Sequence, residues 1–546
     1  MRKSIYHILI SCIFTYCLLG QPPSSKIQFY EYHITEHFVP DKNLSVTANV
    51  PTQILDLSTV DTSFTNKRFT RHGFIRVSGI AGYPLVIDDL NNNGKMDFVG
   101  SYKINNNSSL VEVAIFEQEA ETVFQLKKIY EDSLIYPLSV TDVDNDGLNE
   151  LNLRRSPRYF DNYEAVSIDS YPSEFQFSHN MWTGGGGAVG SEIFTDLDQD
   201  GFVDVIYHGD DTLCGESLTF VAEYSPVTHD FQRVFNHCLS AGFTFDYSIA
   251  DFDDDGALEF ASGTNAGEVY VVENTSNDNY SVIFSDTLPA VNANMSAVTS
   301  DLDQNGKVEF FIVGDEFYNG DLGLRFYWYE ANGNNSLSAI RSLFLPNISG
   351  FGISSLTSFD INGDGFEELV LALEGLCLIL TFNTSDEFEV FYLNWWTQGG
   401  QQIQSVNVYD INTDLKPDLL ISIRDTQNSP RYRSYIFQQE TISAIGSTNE
   451  TDISGNFELY QNYPNPFNPT TRIDFRVLKP GLYTMEVLDI NGKQIKIISK
   501  NYLVAGFYST KWDGTDNFGL KVGSGIYFYR LFTTDDIQVK QMILVQ

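Results

Sequence analysis

Positive charge, cysteine and helical periodicity are all in short supply in this chain. Lys and Arg total 33 against 72 Asp and Glu, for a formal net charge of -39. So acidic a surface cannot neutralise phosphates, which excludes nucleic acid and anionic membranes as partners and favours bound cations. Five cysteines are too few to staple 546 residues. Cys12 and Cys17 lie in the N-terminal apolar segment, Cys214 and Cys238 can pair, and Cys377, in GLCLILTF, reads as a buried strand thiol. Beyond the N-terminus no run approaches the ~20 apolar residues of a transmembrane helix. A helical bundle, a membrane-spanning fold and a disulfide framework are therefore excluded.

What is present begins with MRKSIYHILISCIFTYCLLG, where Arg2 and Lys3 precede a short apolar run that ends in a small residue. This is a signal-peptide pattern over residues 1–20. A lipoprotein anchor requires cysteine where Gln21 stands. The chain reads as secreted, with residues 21–70 as a leader. Within that leader HITEH (33–37) matches an HxxEH zinc string, but it sits in a β-like, proline-flanked context without a third ligand, so it reads as surface strand.

An aspartate cluster recurs seven times: DLNNNGKMD (89–97), DVDNDGLNE (142–150), DLDQDGFVD (196–204), DFDDDGALE (251–259), DLDQNGKVE (301–309), DINGDGFEE (360–368) and DINTDLKPD (410–418). Successive starts are 53, 54, 55, 50, 59 and 50 residues apart. Oxygen side chains at positions 1, 3, 5 and 9 can converge on one hard cation, and Gly at position 6 supplies the left-handed turn that closes the loop. The expected ligands are Asp89, Asn91, Asn93 and Asp97 in loop one, and Asp142, Asp144, Asp146 and Glu150 in loop two. Loop three offers Asp196, Asp198, Asp200 and Asp204, and loop four Asp251, Asp253, Asp255 and Glu259, with Asp254 left facing solvent. Loop five offers Asp301, Asp303, Asn305 and Glu309; loop six Asp360, Asn362, Asp364 and Glu368; loop seven Asp410, Asn412, Asp414 and Asp418. Loop one has only two carboxylates, and loop seven replaces the glycine with Leu415 and adds Pro417, so these two are expected to bind most weakly.

An EF-hand is excluded. Its twelfth residue must be acidic, whereas here it is Gly100, Leu153, Tyr207, Ser262, Ile312, Leu371 or Ile421. The flanks are rich in branched and aromatic residues, as in KVEFFIVG and EELVLAL, and read as strands. Four strands per ~50 residues, seven times over, predict an all-β, seven-bladed propeller with a calcium loop in each blade. After loop seven the strands LLISIRD and YRSYIFQQE lack a further partner, while HGFIRVSG (72–79) precedes the first blade. Pairing that N-terminal strand with the last blade closes the ring and removes a free edge.

FGISSLTSFDINGDGFEELVLAL (351–373) resembles the FG-GAP repeats of integrin α-subunit propellers and the related VCBS-type repeats of secreted bacterial proteins. The resemblance covers roughly residues 70 to 440. It implies structural calcium in a loop joining the first two strands of each blade, with a backbone carbonyl at position 7 as an added ligand.

A Ser-, Thr- and Asn-rich linker follows at 440–456, and then residues 457–546 alternate β runs with turns, the pattern of a small Ig-like β-sandwich. This tail resembles the type A sorting domains of the type IX secretion system, through Tyr463-Pro464-Asn465-Pro466-Phe467-Asn468-Pro469, Asn491-Gly492, Trp512-Asp513-Gly514, Ser524-Gly525-Ile526-Tyr527 and Lys540. The resemblance implies passage through the periplasm, then export by that machinery to the medium or the outer cell surface.

Two functions follow from such a scaffold. One is a non-catalytic binding or adhesion module for glycan or protein ligands; the other is a polysaccharide lyase or hydrolase built on a calcium-bearing propeller. No nucleophile motif is evident, and the clustered aspartates, once bound to metal, are poor proton donors. The interblade loops HNMWTGGGGAVG (179–190) and NWWTQGGQQ (394–402) place Trp182, Trp395 and Trp396 beside glycines, on the face away from the metal loops. Exposed rings there suit ligand recognition, whereas buried ones pack between blades.

Overall fold

The computed structural model describes residues 50–544 except 80–84, 104–110, 131–135, 182–191, 211–216, 349–352, 397–399, 440–456, 463–466, 534–536 and gaps of one or two residues. The signal segment, HITEH, Trp182, Cys214, Leu415, the linker, Tyr463 to Pro466, Asn468 and Asn491-Gly492 lie outside the described residues.

The protein is all-β and propeller-like, with helix among the described residues confined to single turns at Leu57–Thr59 and Thr62–Thr65. Up to residue 439 the strands form successive antiparallel sheets of four. Sheet one comprises Val86–Asp88, Asp97–Tyr102, Glu112–Ala120 and Val123–Tyr130; sheet two Tyr136–Thr141, Glu150–Ser156, Tyr159–Glu164 and Glu174–Asn180. Sheet three comprises Ile193–Thr195, Asp204–Asp210, Ser217–Ser225 and Asp230–Cys238; sheet four Ser248–Ala250, Glu259–Gly263, Glu268–Ser276 and Asn279–Thr287. Sheet five comprises Val291–Thr299, Glu309–Tyr318, Asp321–Gly333 and Ser336–Pro346; sheet six Ile353–Phe359, Glu368–Leu373, Leu376–Phe382 and Phe388–Trp395. Sheet seven takes Gln401–Tyr409, Asp418–Asp425 and Tyr432–Gln439 from the end of this region and Phe69–Ile75 from its beginning.

That last pairing is antiparallel, from Phe69 opposite Gln439 to Ile75 opposite Ser434. The closing strand foreseen at 72–79 is thus present, beginning three residues earlier. The core is divided accordingly. One apolar cluster lies between each sheet and the next, and the cluster of Ile75, Val77, Leu85, Phe98, Ile411, Leu420 and Ile436 joins sheet seven to sheet one. Second and third strands, covered on both sides by neighbouring sheets, are buried almost throughout, as in Glu309–Tyr318. The outermost strands, such as Asn279–Thr287, alternate and face solvent.

Part of the segment assigned to the leader is also built in. Thr52–Ile54 adds a parallel fifth strand to the outer edge of sheet five, opposite Ser342 to Phe344, covering an otherwise open edge. Cys377 is buried and free, as its apolar strand suggests. Cys238 is disulfide-bonded.

Where sheets four and five meet, the chain at Ala293 approaches Gly263 so closely that a Cβ there would collide with the Ala293 carbonyl. Gly263→Ala is expected to destabilise the protein by about 1–3 kcal/mol in a thermal melt, since backbone cannot yield as a side chain can. Gly375→Ala, whose nearest neighbour would be the Trp396 carbonyl at 3.7 Å, is the control and leaves the melt unchanged.

Residues from 457 onward form two further sheets around a separate core. One holds Phe457–Leu459, Thr471–Val477 and Gly506–Trp512; the other Gln494–Leu503, Gly481–Leu488, Gly525–Phe532 and Ile537–Leu544. Phe467 is buried against Trp512, with ring centroids 5.6 Å apart. Buried Asn462 donates through its backbone N–H to the Tyr529 hydroxyl at 2.8 Å and through Nδ2 to Thr471 Oγ1 at 2.9 Å.

Candidate metal centres

Each aspartate cluster joins the first two strands of its sheet, and in all seven the ninth residue opens the second strand. The loops share one geometry. In loop four, Asp251 accepts the backbone N–H groups of Asp255 at 3.1 Å and Gly256 at 2.9 Å, and Asp255 accepts that of Ala257 at 3.0 Å. Loop three repeats this, Asp196 accepting from Asp200 and Gly201, and Asp200 from Phe202. Two left-handed residues make the turn: position 4, where Asp254 has φ 62° and is exposed, and position 6, where Gly256 has φ 97°. Short Asx side chains and Gly tolerate that region, which accounts for Asp254 in its solvent-facing place.

The ninth residue decides what each loop can hold. In every loop one of its carboxylate oxygens accepts the backbone N–H of position 2, as in Leu197 to Asp204 at 2.9 Å and Phe252 to Glu259 at 2.7 Å. In loops two, three and four the other oxygen, on buried Glu150, Asp204 and Glu259, has no hydrogen-bond partner. An unpaired buried carboxylate oxygen is costly, and a cation among these groups removes the cost.

In loops one, five and six protein donors take the second oxygen. Tyr171 donates to Asp97 at 3.0 Å, and Thr299 to Glu309 at 2.6 Å. Glu368 accepts from Asn362 Nδ2 at 2.6 Å and Thr381 at 3.1 Å. In loop seven one oxygen of buried Asp418 is likewise without a partner.

Carboxylates gather within 4.8 Å of one another in loop two (Asp142, Asp144, Asp146, Glu150), loop four (Asp251, Asp253, Asp255, Glu259), loop three (Asp196, Asp198, Asp204) and loop five (Asp301, Asp303, Glu309). These clusters fit a hard divalent cation bound through oxygen. Burial, reinforced by neighbouring aspartates, pushes Glu150 and Glu259 up to about 8 and Asp204 up to about 7. Loops one, six and seven show no comparable gathering of three carboxylates among the described residues.

One class of residue escaped the sequence reading. Opposite the ninth position, on the third strand, stand Glu117, Glu164, Glu223, Glu273 and Glu330 in sheets one to five. Their distance along the chain from the loop varies, so the repeat did not reveal them. The available signal was a lone acid within an apolar strand, as in FVAEY and YVVENT.

The loops are also closed from outside their own sheet. The turn between the last two strands of sheet four reaches loop three, where the Asp278 N–H donates to Asp198 Oδ2 at 2.8 Å. The corresponding turn of sheet five reaches loop four, through Asn335 N–H to Asp253 and Asn334 Nδ2 to Asp255, both at 2.5 Å.

At the far end of the sheets, Trp395 is 36% exposed. Trp396 is half-buried, its ring 5.5 Å from that of Tyr435 and 6.1 Å from Phe437, with Nε1 donating to Gln401 at 3.3 Å. The packed arrangement therefore applies to Trp396.

A family model described as FG-GAP-like repeat matches residues 301–371, loops five and six included, and one described as secretion system C-terminal sorting domain matches residues 461–546. The chain carries an FG-GAP-like repeat and a type IX sorting domain. The sorting domain directs export through the type IX machinery, to secretion or cell-surface attachment. Among the described residues, no helix is long and apolar enough to cross a membrane.

No curated protein matches the chain. Similar solved structures include BBS1N in complex with ARL6DN (11% identity, 69% of this chain and 99% of that one, TM-score 0.40) and Sqt1 of Saccharomyces cerevisiae (9%, 75% and 96%, 0.39). A fungal alcohol oxidase in complex with copper is similar at 7% identity over 88% of this chain and 100% of that one, with a TM-score of 0.43.

Proposed function

We propose that the exported protein is a calcium-rigidified, seven-bladed propeller that serves as a non-catalytic binding or adhesion module for a glycan or protein ligand. Residues 1–20 are its signal peptide, 71–439 the propeller, 440–456 the linker and 457–546 an Ig-like sorting domain. The observation that carries the calcium reading is the unpartnered buried oxygen on Glu150, Asp204 and Glu259, each inside a carboxylate cluster. The seven inter-sheet cores, the last joining sheet seven to sheet one, support the ring. Calcium is structural, and its sites occupy one face. In loop one Lys95 and Lys127 sit on Glu117 at 3.1 and 2.7 Å, so that a protein ammonium stands in for the ion.

Ligand binding is assigned to the opposite face. The fourth strand of sheet six ends there, with Trp395 partly exposed, and a rigid aromatic edge can stack on a sugar ring or anchor a protein partner. Trp395→Ala is expected to weaken retention on a glycan and surface-protein array, run with calcium, by roughly 30-fold, the effect of a ~2 kcal/mol hot spot. Undiminished binding by the variant removes this face from consideration. Release of oligosaccharide products in the same screen replaces the module reading with an enzyme.

A further inference from the structure

We propose that the loop of sheet three holds two cations, the second bound by Asp198, Asp200, Glu223 and Asp278 between sheets three and four. The inference rests on the calcium reading above and adds a site that the repeat pattern does not contain. A loop ion held by positions 1, 3, 5 and 9 uses Asp196, Asp198, Asp200 and Asp204, and leaves Glu223 and Asp278 uncompensated.

Sister sheets fill the corresponding space with other protein groups. The space between position 5 and the third-strand glutamate is a fixed feature of sheets one to five. In sheets one and five position 5 is Asn and position 7 is Lys. Lys95 reaches Glu117 at 3.1 Å and Lys307 reaches Glu330 at 3.6 Å, while Asn93 and Asn305 donate to the same glutamates. In sheet four the amides of Asn334 and Asn335 come down over Asp255 and Asp253 from the next sheet. In sheet two His229 occupies the equivalent turn and lines a small cavity with Asp144, Glu150 and Glu164.

In sheet three the turn brings a carboxylate over the loop. The turn residue is Asp278, pinned over the loop by its N–H to Asp198 Oδ2 at 2.8 Å, with its side chain hydrogen-bonded to Glu223. Position 5 is Asp200 and position 7 is Phe202. Ligand oxygens of Asp198, Asp200 and Glu223 lie within 4.8 Å of one another, a second triad beside that of Asp196, Asp198 and Asp204, and Asp198 is common to both. Asp204, fully buried and directly across the strand pair from Glu223, has one oxygen without a partner, and a buried Glu223 oxygen has none. Six carboxylates around one loop repel one another strongly unless more than one divalent ion offsets them. Where two sisters place an ammonium, sheet three places a metal, with Asp198 and Asp200 shared between the two ions.

The test counts ions on the full mature chain by native mass spectrometry and calcium titration calorimetry. Glu223→Gln and Asp278→Ala are each expected to bind one calcium fewer than the parent, while Asp196→Ala loses the loop ion. A second variant imports the sister solution: Asp200→Asn with Phe202→Lys is expected to lose one calcium and yet melt higher than the parent in chelator. Unchanged stoichiometry in Glu223→Gln and Asp278→Ala, or a weaker site with no loss of an equivalent, overturns the two-ion assignment and leaves one ion per loop. A parent that binds no calcium at all overturns the underlying metal reading together with it.

Discussion

Stripped of calcium, the mature protein is expected to melt roughly 10 °C below its calcium-saturated form. The estimate follows from loops two, three and four, where a buried carboxylate oxygen lacks any protein donor. A ligand that binds only the folded state adds about 2.7 kcal/mol per site at a hundredfold excess over its dissociation constant, so three such sites contribute about 8 kcal/mol. In a domain of several hundred residues each kcal/mol moves the midpoint by only one or two degrees. The repulsion released among the aspartates acts in the same direction. Differential scanning calorimetry with and without chelator measures the shift, and the sorting domain, whose strands carry none of these loops, provides an internal reference whose transition stays in place. Equal melting temperatures in the two conditions would dismiss calcium as a structural element. Single-loop variants rank the sites: Asp251→Ala should cost about a third of the whole effect, Asp89→Ala much less, because Lys95 and Lys127 already neutralise Glu117.

Most of the frame was legible because the chain repeats it. Seven aspartate clusters at nearly constant spacing marked the turns, and branched and aromatic flanks marked the strands. The closing strand was legible for a negative reason, since sheet seven lacked a member. The loops' surroundings were not legible, because they come from elements with no fixed distance to the motif. Asp278 lies 80 residues beyond its partner Asp198, and Tyr171 reaches Asp97 across 74. A one-dimensional period reports contacts within a repeat, whereas contacts between repeats depend on which turn residue each sheet presents. Ranking loops by carboxylate count was correspondingly incomplete. Loop six has three carboxylates, as loop five has, yet only loop five brings its three within 4.8 Å of one another among the described residues. The two tryptophans show the same limit: adjacent in sequence, one is partly exposed and the other lies on Tyr435 and Phe437.

The pH dependence of stability should reverse when calcium is removed. Burial raises Glu150, Glu259, Glu309 and Glu368 to about 8, and Asp97, Asp204 and Asp418 to about 7, in the metal-free fold. Unfolded, the same groups titrate near 4. Between pH 4 and 8 the folded state therefore holds protons that the unfolded state has released, and stability must fall as pH rises through that window. Protonation partly substitutes for the ion, since a neutral carboxyl no longer repels its neighbours. Calcium inverts the sign for the groups it binds: a bound carboxylate stays ionised, its folded value drops below the unfolded one, and stability rises with pH as the ligands deprotonate. Asp246, which lines a cavity with Tyr247, Ser296 and Leu356 and is raised to about 7 by desolvation, contributes the same slope to both curves and cancels from their difference. Melts of dialysed and calcium-loaded protein should thus converge near pH 5 and separate steadily toward pH 8. Calcium titrations at pH 6 should release protons, seen as a binding enthalpy that changes with the ionisation enthalpy of the buffer. Parallel melting curves, with no proton release, would place the ion somewhere other than at these buried carboxylates.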